Sequence, residues 1–94
     1  MIVKYFRNSD GIGVILIEDR FEEYLNDQFN FDFSCLVPVP DKKDSYLVSF
    51  MNYFEVSKLQ KVSLKKVKQE APKLWKFVSA IQNQPDSELD QENE

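Results

Sequence analysis

Histidine is absent from this chain, and cysteine occurs once, at Cys35. These two shortages exclude Ser–His and Cys–His nucleophile pairs. They also leave too few ligands for an ordinary zinc site, so no metal and no cofactor is expected. A single cysteine forbids an internal disulfide, the usual support of a small secreted domain. Two glycines and four prolines argue against a loop-dominated or fibrous chain. The longest purely apolar run, Val14 to Ile17, is far too short to cross a bilayer. The opening MIVKYFRNSDG lacks the apolar core and cleavage site of a signal peptide. A cytoplasmic location is therefore expected, with no membrane contact. Sixteen acidic residues in 94 positions make some close carboxylate pairs unavoidable, so such pairs do not argue for an enzyme.

What remains suits one domain. Thirteen aromatics, eight of them Phe, give it large side chains to bury. The longest helical pattern runs from Ser63 to Gln82. Leu64, Val67, Ala71, Leu74, Trp75, Val78 and Ile81 recur at three- and four-residue steps, forming one stripe. Ser63 is the expected N-cap. Pro72 interrupts the pattern without shifting its phase, and one kinked helix is expected there. Lys65, Lys66, Lys73 and Lys76 then form a row on the opposite side.

Residues 2–7 and 12–17 read as a hairpin around Asn8-Ser9-Asp10-Gly11, with a loop of four or five residues. Ile12 to Ile17 is apolar in both phases, the mark of an interior strand covered on two sides. From Glu18 to Gln28 the spacing is helical, with Phe21, Tyr24, Leu25 and Phe29 on one side. Asp19, Glu22, Glu23 and Asp27 line the other. Phe31 to Val37 alternates, sending Phe33 and Cys35 inward. Ser45 to Glu55 holds a further strand, in which both phases carry large apolar residues. The order ββαββα implies an α+β domain over residues 1–84: a four-stranded, mainly antiparallel sheet with two helices on one face. Residues 85–94, with five acids, are expected to form a disordered tail.

Charge is sorted along the chain. Residues 1–55 carry five basic and ten acidic side chains, residues 56–84 seven Lys and one Glu, and residues 85–94 five acids. Three readings follow. The acidic residues Asp19, Glu22, Glu23 and Asp27, with Tyr24 as an aromatic anchor, form a contact face for a basic protein. Phe29 and Tyr53 are further anchors beside the acids. Alternatively, Lys65, Lys66, Lys73 and Lys76 contact nucleic-acid phosphates. That segment has no arginine for bidentate recognition. Thirdly, the tail folds back and neutralises the lysines. The first reading leads. It describes a small acidic protein-binding regulator of the inhibitor or immunity-protein type, occluding a basic surface on a nuclease or nucleic-acid-binding protein.

Overall fold

The computed structural model describes residues 1–82. A five-stranded antiparallel sheet is built from β1 (Ile2–Asn8), β2 (Gly11–Ile17), β3 (Asp32–Pro38), β4 (Tyr46–Asn52) and β5 (Gln60–Lys61). Its spatial order is β4-β3-β2-β1-β5. Between β2 and β3 lies a 3-10 helix, Asp19–Asn26. Three α-helices follow β4: α1 (Tyr53–Ser57), α2 (Leu64–Glu70) and α3 (Pro72–Gln82). The α+β class and the antiparallel sheet agree with the sequence reading. The expected tail, residues 85–94, lies outside the described residues.

The sheet has five strands rather than four, and its helices lie on both faces rather than one. The reason is β2. Ile15 and Ile17 point to the first face, where they pack with Phe6, Phe33 and Cys35 beneath Val56 of α1 and Phe21 and Leu25 of the 3-10 helix. Ile12 and Val14 point to the second face, beneath Val67 of α2 and Ala71, Leu74 and Val78 of α3. A central strand apolar in both phases has to be covered twice. The fifth strand, β5, pairs only Lys61 with Phe6 and Gln60 with Arg7. Two residues leave no legible alternation.

Local chemistry sets the boundaries. The β1–β2 turn is tighter than expected: Asn8 pairs with Gly11, leaving Ser9 and Asp10 as the loop. Asn8 Oδ1 accepts from the Asp10 amide at 2.8 Å, and Gly11 takes a φ of 135° that suits glycine. β4 ends where Asn52 caps α1. Its side chain accepts from the Glu55 amide at 2.8 Å, and Glu55 accepts from the Asn52 amide at 3.0 Å. Ser63 caps α2 as expected, accepting from the Lys66 amide at 3.3 Å.

The single kinked helix is not formed. Ala71 leaves the helical region, with φ −137° and ψ 59°, and α3 starts at Pro72. The proline ring disfavours the helical region at the residue before it, while its own fixed φ suits a first helical turn. Val67, Ala71, Leu74 and Val78 nevertheless share one buried cluster, because both helices lie on the same sheet face. Leu64 falls off the stripe and is exposed, and Trp75 is only half buried.

Gly13 sits where β2 passes under Phe6. A Cβ there would lie 2.6 Å from both the Leu36 carbonyl oxygen and the Phe6 ring. The carbonyl belongs to the backbone and cannot step aside alone. Gly13→Ala is expected to destabilise the fold by about 1–3 kcal/mol, the usual range for overpacking. Urea denaturation of the two proteins measures this directly. An unchanged midpoint would mean that β2 and β3 have room to separate.

Candidate acidic contact face and the opposite lysine layer

The segment read as an acidic α-helix is a 3-10 helix. Aromatic packing explains the change. Phe21 and Tyr24, three residues apart, both lie against Phe31, with ring centroids at 5.7 and 4.3 Å. In a 3-10 helix residues i and i+3 eclipse, so one wall of aromatic rings meets one partner ring. The backbone follows: the Phe21 amide donates to the Glu18 carbonyl, and the Asp27 amide to the Tyr24 carbonyl. Phe21 and Leu25 fix the element to the first face of the sheet.

This geometry redistributes the acids. Asp19 and Glu22 fall in one column, Glu23 stands with Arg20 in a second, and Asp27 continues the Phe21–Tyr24 column. All four acids are exposed, but they do not form a single ridge. Asp19 pairs with the amino group of Met1. Asp27 accepts from the Asn30 side chain at 3.0 Å. Glu18 takes Arg20 at 3.0 Å. Glu22 and Glu23 have no ion-pair partner among the described residues. Tyr24 keeps partial exposure while stacked flat on Phe31.

Phe29 is the more prominent aromatic, 63% exposed. It stands on Phe54 with centroids 4.5 Å apart. Its loop is tied to the start of α1: the Asn52 side chain donates to the Phe29 carbonyl at 3.1 Å, and the Phe54 amide to the Gln28 carbonyl at 3.0 Å. Phe29 is thus an exposed ring held in place. Tyr53, also read as an anchor, packs instead at the margin of the first-face core.

The lysines occupy the other face of the sheet, divided between two helices rather than set in one row. Lys65 and Lys66 belong to α2, and Lys73 and Lys76 to α3. Lys66 lies 4.0 Å from Glu70, and Lys73 lies 3.7 Å from Asp44. Lys68 lies over the Trp75 ring at 4.9 Å. Lys65 and Lys76 have no ion-pair partner among the described residues. Glu70 also accepts from Arg7 of β1 at 2.7 Å. That hydrogen bond, with the charges of Arg7 and Lys66, holds the Glu70 carboxyl below its ordinary range. The sheet therefore separates an acidic layer, five acids against Arg20 over residues 18–27, from a basic one, five lysines against Glu70 over residues 64–82.

A further exposed feature, Leu47, Val48 and Phe50 of β4, escaped the sequence reading; all three are more than half exposed. Phe77 of α3, at the edge of the helix stripe where burial against the sheet is least assured, is more than half exposed as well. The signal was the double apolar phase of Ser45 to Glu55. That pattern fits an interior strand and a sticky edge equally well until the strand order is known.

Among the described residues, no group of three or more His, Cys, Asp or Glu side chains is placed to hold a metal ion. No helix among them is long and apolar enough to cross a membrane. Comparison with protein-family models, with curated proteins and with solved structures found no match.

Cys35 is buried in the first-face core, its thiol 3.5 Å from the Ser49 carbonyl oxygen. Burial pushes its pKa up, and the Glu55 carboxylate adds to the effect. Only the thiolate attacks a disulfide reagent. An aromatic disulfide reagent at neutral pH is expected to leave Cys35 unmodified in the native protein and to label it fully in denaturant. Rapid native labelling would mean that the core beneath α1 opens readily.

Proposed function

We propose that this chain is a small non-enzymatic, cytoplasmic protein-binding regulator of the inhibitor or immunity-protein type. Its acidic face covers a basic surface on a partner protein. The observation that supports this reading is the state of Glu22 and Glu23. Both are exposed, neither has an ion-pair partner among the described residues, and both stand on an element fixed to the sheet by Phe21 and Leu25. Unpaired charges on a fixed element accelerate encounter with an oppositely charged surface at little ordering cost. Phe29, an exposed ring in a tied loop, provides the apolar anchor such a contact needs. Asp19 and Asp27 have local partners, so they shape the field more than they bind.

The lysine layer fits a phosphate surface less well. Lys66 and Lys73 already meet carboxylates, and Lys68 is drawn over Trp75. The break at Ala71 removes the continuous row that would track a nucleic-acid backbone.

The test combines capture from the native cytosol, with and without nuclease treatment, with charge reversal. A partner retained after nuclease treatment is expected. Glu22→Lys with Glu23→Lys should slow its association by about tenfold or more at low salt and weaken the salt dependence. Phe29→Ala should speed its dissociation. Reversal of Lys65 and Lys66 to Glu should change little, with circular dichroism confirming that every variant folds. Binding lost only on the lysine reversal, or capture abolished by nuclease, would replace this reading with phosphate contact by α2 and α3.

A further inference from the structure

The two edges of the sheet are unlike. β5 is two residues long, carries Lys61, and lies next to Lys58 and Lys65, the short charged form that blunts an edge. β4 is seven residues long, YLVSFMN, with no charge, proline or glycine, and its outer side pairs with no strand among the described residues. Such a strand is a template for another strand.

The direction of its free backbone groups follows from the β3–β4 ladder. The Val39 amide donates to the Ser45 carbonyl at 2.9 Å, immediately beyond the pair Pro38–Tyr46. Hydrogen-bonded and non-hydrogen-bonded pairs alternate in an antiparallel ladder. Leu47, Ser49 and Met51 therefore spend their backbone groups on β3. Tyr46, Val48, Phe50 and Asn52 direct theirs outward along the free edge.

We infer that two copies of this chain associate through antiparallel β4–β4 pairing, with Ser49 opposite Ser49 of the second copy. The apolar pattern of residues 47–51, Leu-Val-Ser-Phe-Met, mirrors about that residue. Val48 then faces Phe50, Leu47 faces Met51, and Tyr46 faces Asn52. Residues directly opposite share a sheet face, so apolar meets apolar on both faces. A shift by two residues loses two pairs and sets Leu47 or Met51 against Ser49. The outward groups of Val48 and Phe50 meet in phase, as a continuing ladder requires. In a two-fold contact between identical strands residue i meets j and j meets i, so an apolar pattern that mirrors about one residue matches its own copy, whereas nothing about a foreign peptide would call for that pattern.

Phe77 extends the contact. Lys73, one helical turn before it, reaches Asp44 just ahead of β4. That places Phe77 on the flank of α3 toward β4, on the second face with Val48 and Phe50. Leu47 is 57% exposed, Val48 67%, Phe50 64% and Phe77 53%. Together they leave on the order of 400 Å² of apolar surface open per copy. With the paired backbones added, the contact approaches roughly 1,000 Å² in total, the lower bound of specific interfaces. The strand itself is uncharged, so the net charge of −4 on each chain is not concentrated at the contact. The product is a ten-stranded sheet with both acidic layers on one side and both lysine layers on the other.

Sedimentation over a wide range of protein concentration tests this. The wild-type chain should reach the mass of two copies as concentration rises. Val48→Lys with Phe50→Lys should stay at the monomer mass while keeping the native circular dichroism spectrum. In a Cys35→Ala background, Ser49→Cys should cross-link under mild oxidation, because non-hydrogen-bonded partners lie close enough for a disulfide. Leu47→Cys should not, since it faces Met51. A wild-type chain that stays monomeric overturns the inference. So does a dimer that survives both lysines, or one that cross-links through Leu47→Cys and not Ser49→Cys. Should the double-lysine variant fail to fold, the cross-linking pair decides alone.

Discussion

Burial of β2 on both faces is the constraint on which this fold depends. Ile12, Val14, Ile15 and Ile17 are at most 5% exposed, and they divide between two cores. Each buried side chain of this size contributes roughly 1.5–3 kcal/mol relative to exposure. No small domain can cover such a strand from one side. The chain answers with two kinds of lid: the 3-10 helix with α1 over Ile15 and Ile17, and α2 with α3 over Ile12 and Val14. Gly13 belongs to the same constraint, since the Phe6 ring fills the space where its side chain would stand.

The separation of charge follows from that layering. Blocks that alternate in sign along the sequence become layers on opposite sides of the sheet, because one lid comes from the acidic half and the other from the lysine-rich segment. Within each layer, local partners decide which charges stay free. Arg7, Met1 and Asn30 occupy Glu70, Asp19 and Asp27, and the charges without ion-pair partners among the described residues include Glu22 and Glu23 on one side, Lys65 and Lys76 on the other. Two surfaces of different chemistry therefore coexist: a charged one on the lid, and an apolar one at the β4 edge, where Leu47, Val48 and Phe50 stay exposed while Tyr46 and Met51 pack against the cores.

Much of this was legible in residue order. Asn8 and Gly11 marked the first hairpin, the double apolar phase of Ile12 to Ile17 marked the interior strand, and alternation placed Phe33 and Cys35 inward. Ser63 announced the start of α2. That same double phase in β2 requires two lids, so helices on one face alone could not have buried both Ile12 and Ile15. Other features depend on tertiary contacts that spacing does not encode. Phe21 and Leu25 fit an α-helix as well as a 3-10 helix, and Phe31, ten residues beyond Phe21, decides between them. Pro72 left apolar phase intact because both helices share a sheet face. Asp19, Glu22, Glu23 and Asp27 are exposed, as their spacing implied, but their grouping changed with the helix type. The free edge of β4 was invisible until strand order set it outermost.

Native-state hydrogen exchange on β2 tests the central claim most directly. If the two cores close on this strand together, the amides of Val14 and Ile15 exchange only through global unfolding. Their opening free energy then equals the unfolding free energy from denaturant. Exchange of those amides through a smaller opening, while amides of α3 or β1 remain protected, would contradict the account, because the strand would not be what holds both lids.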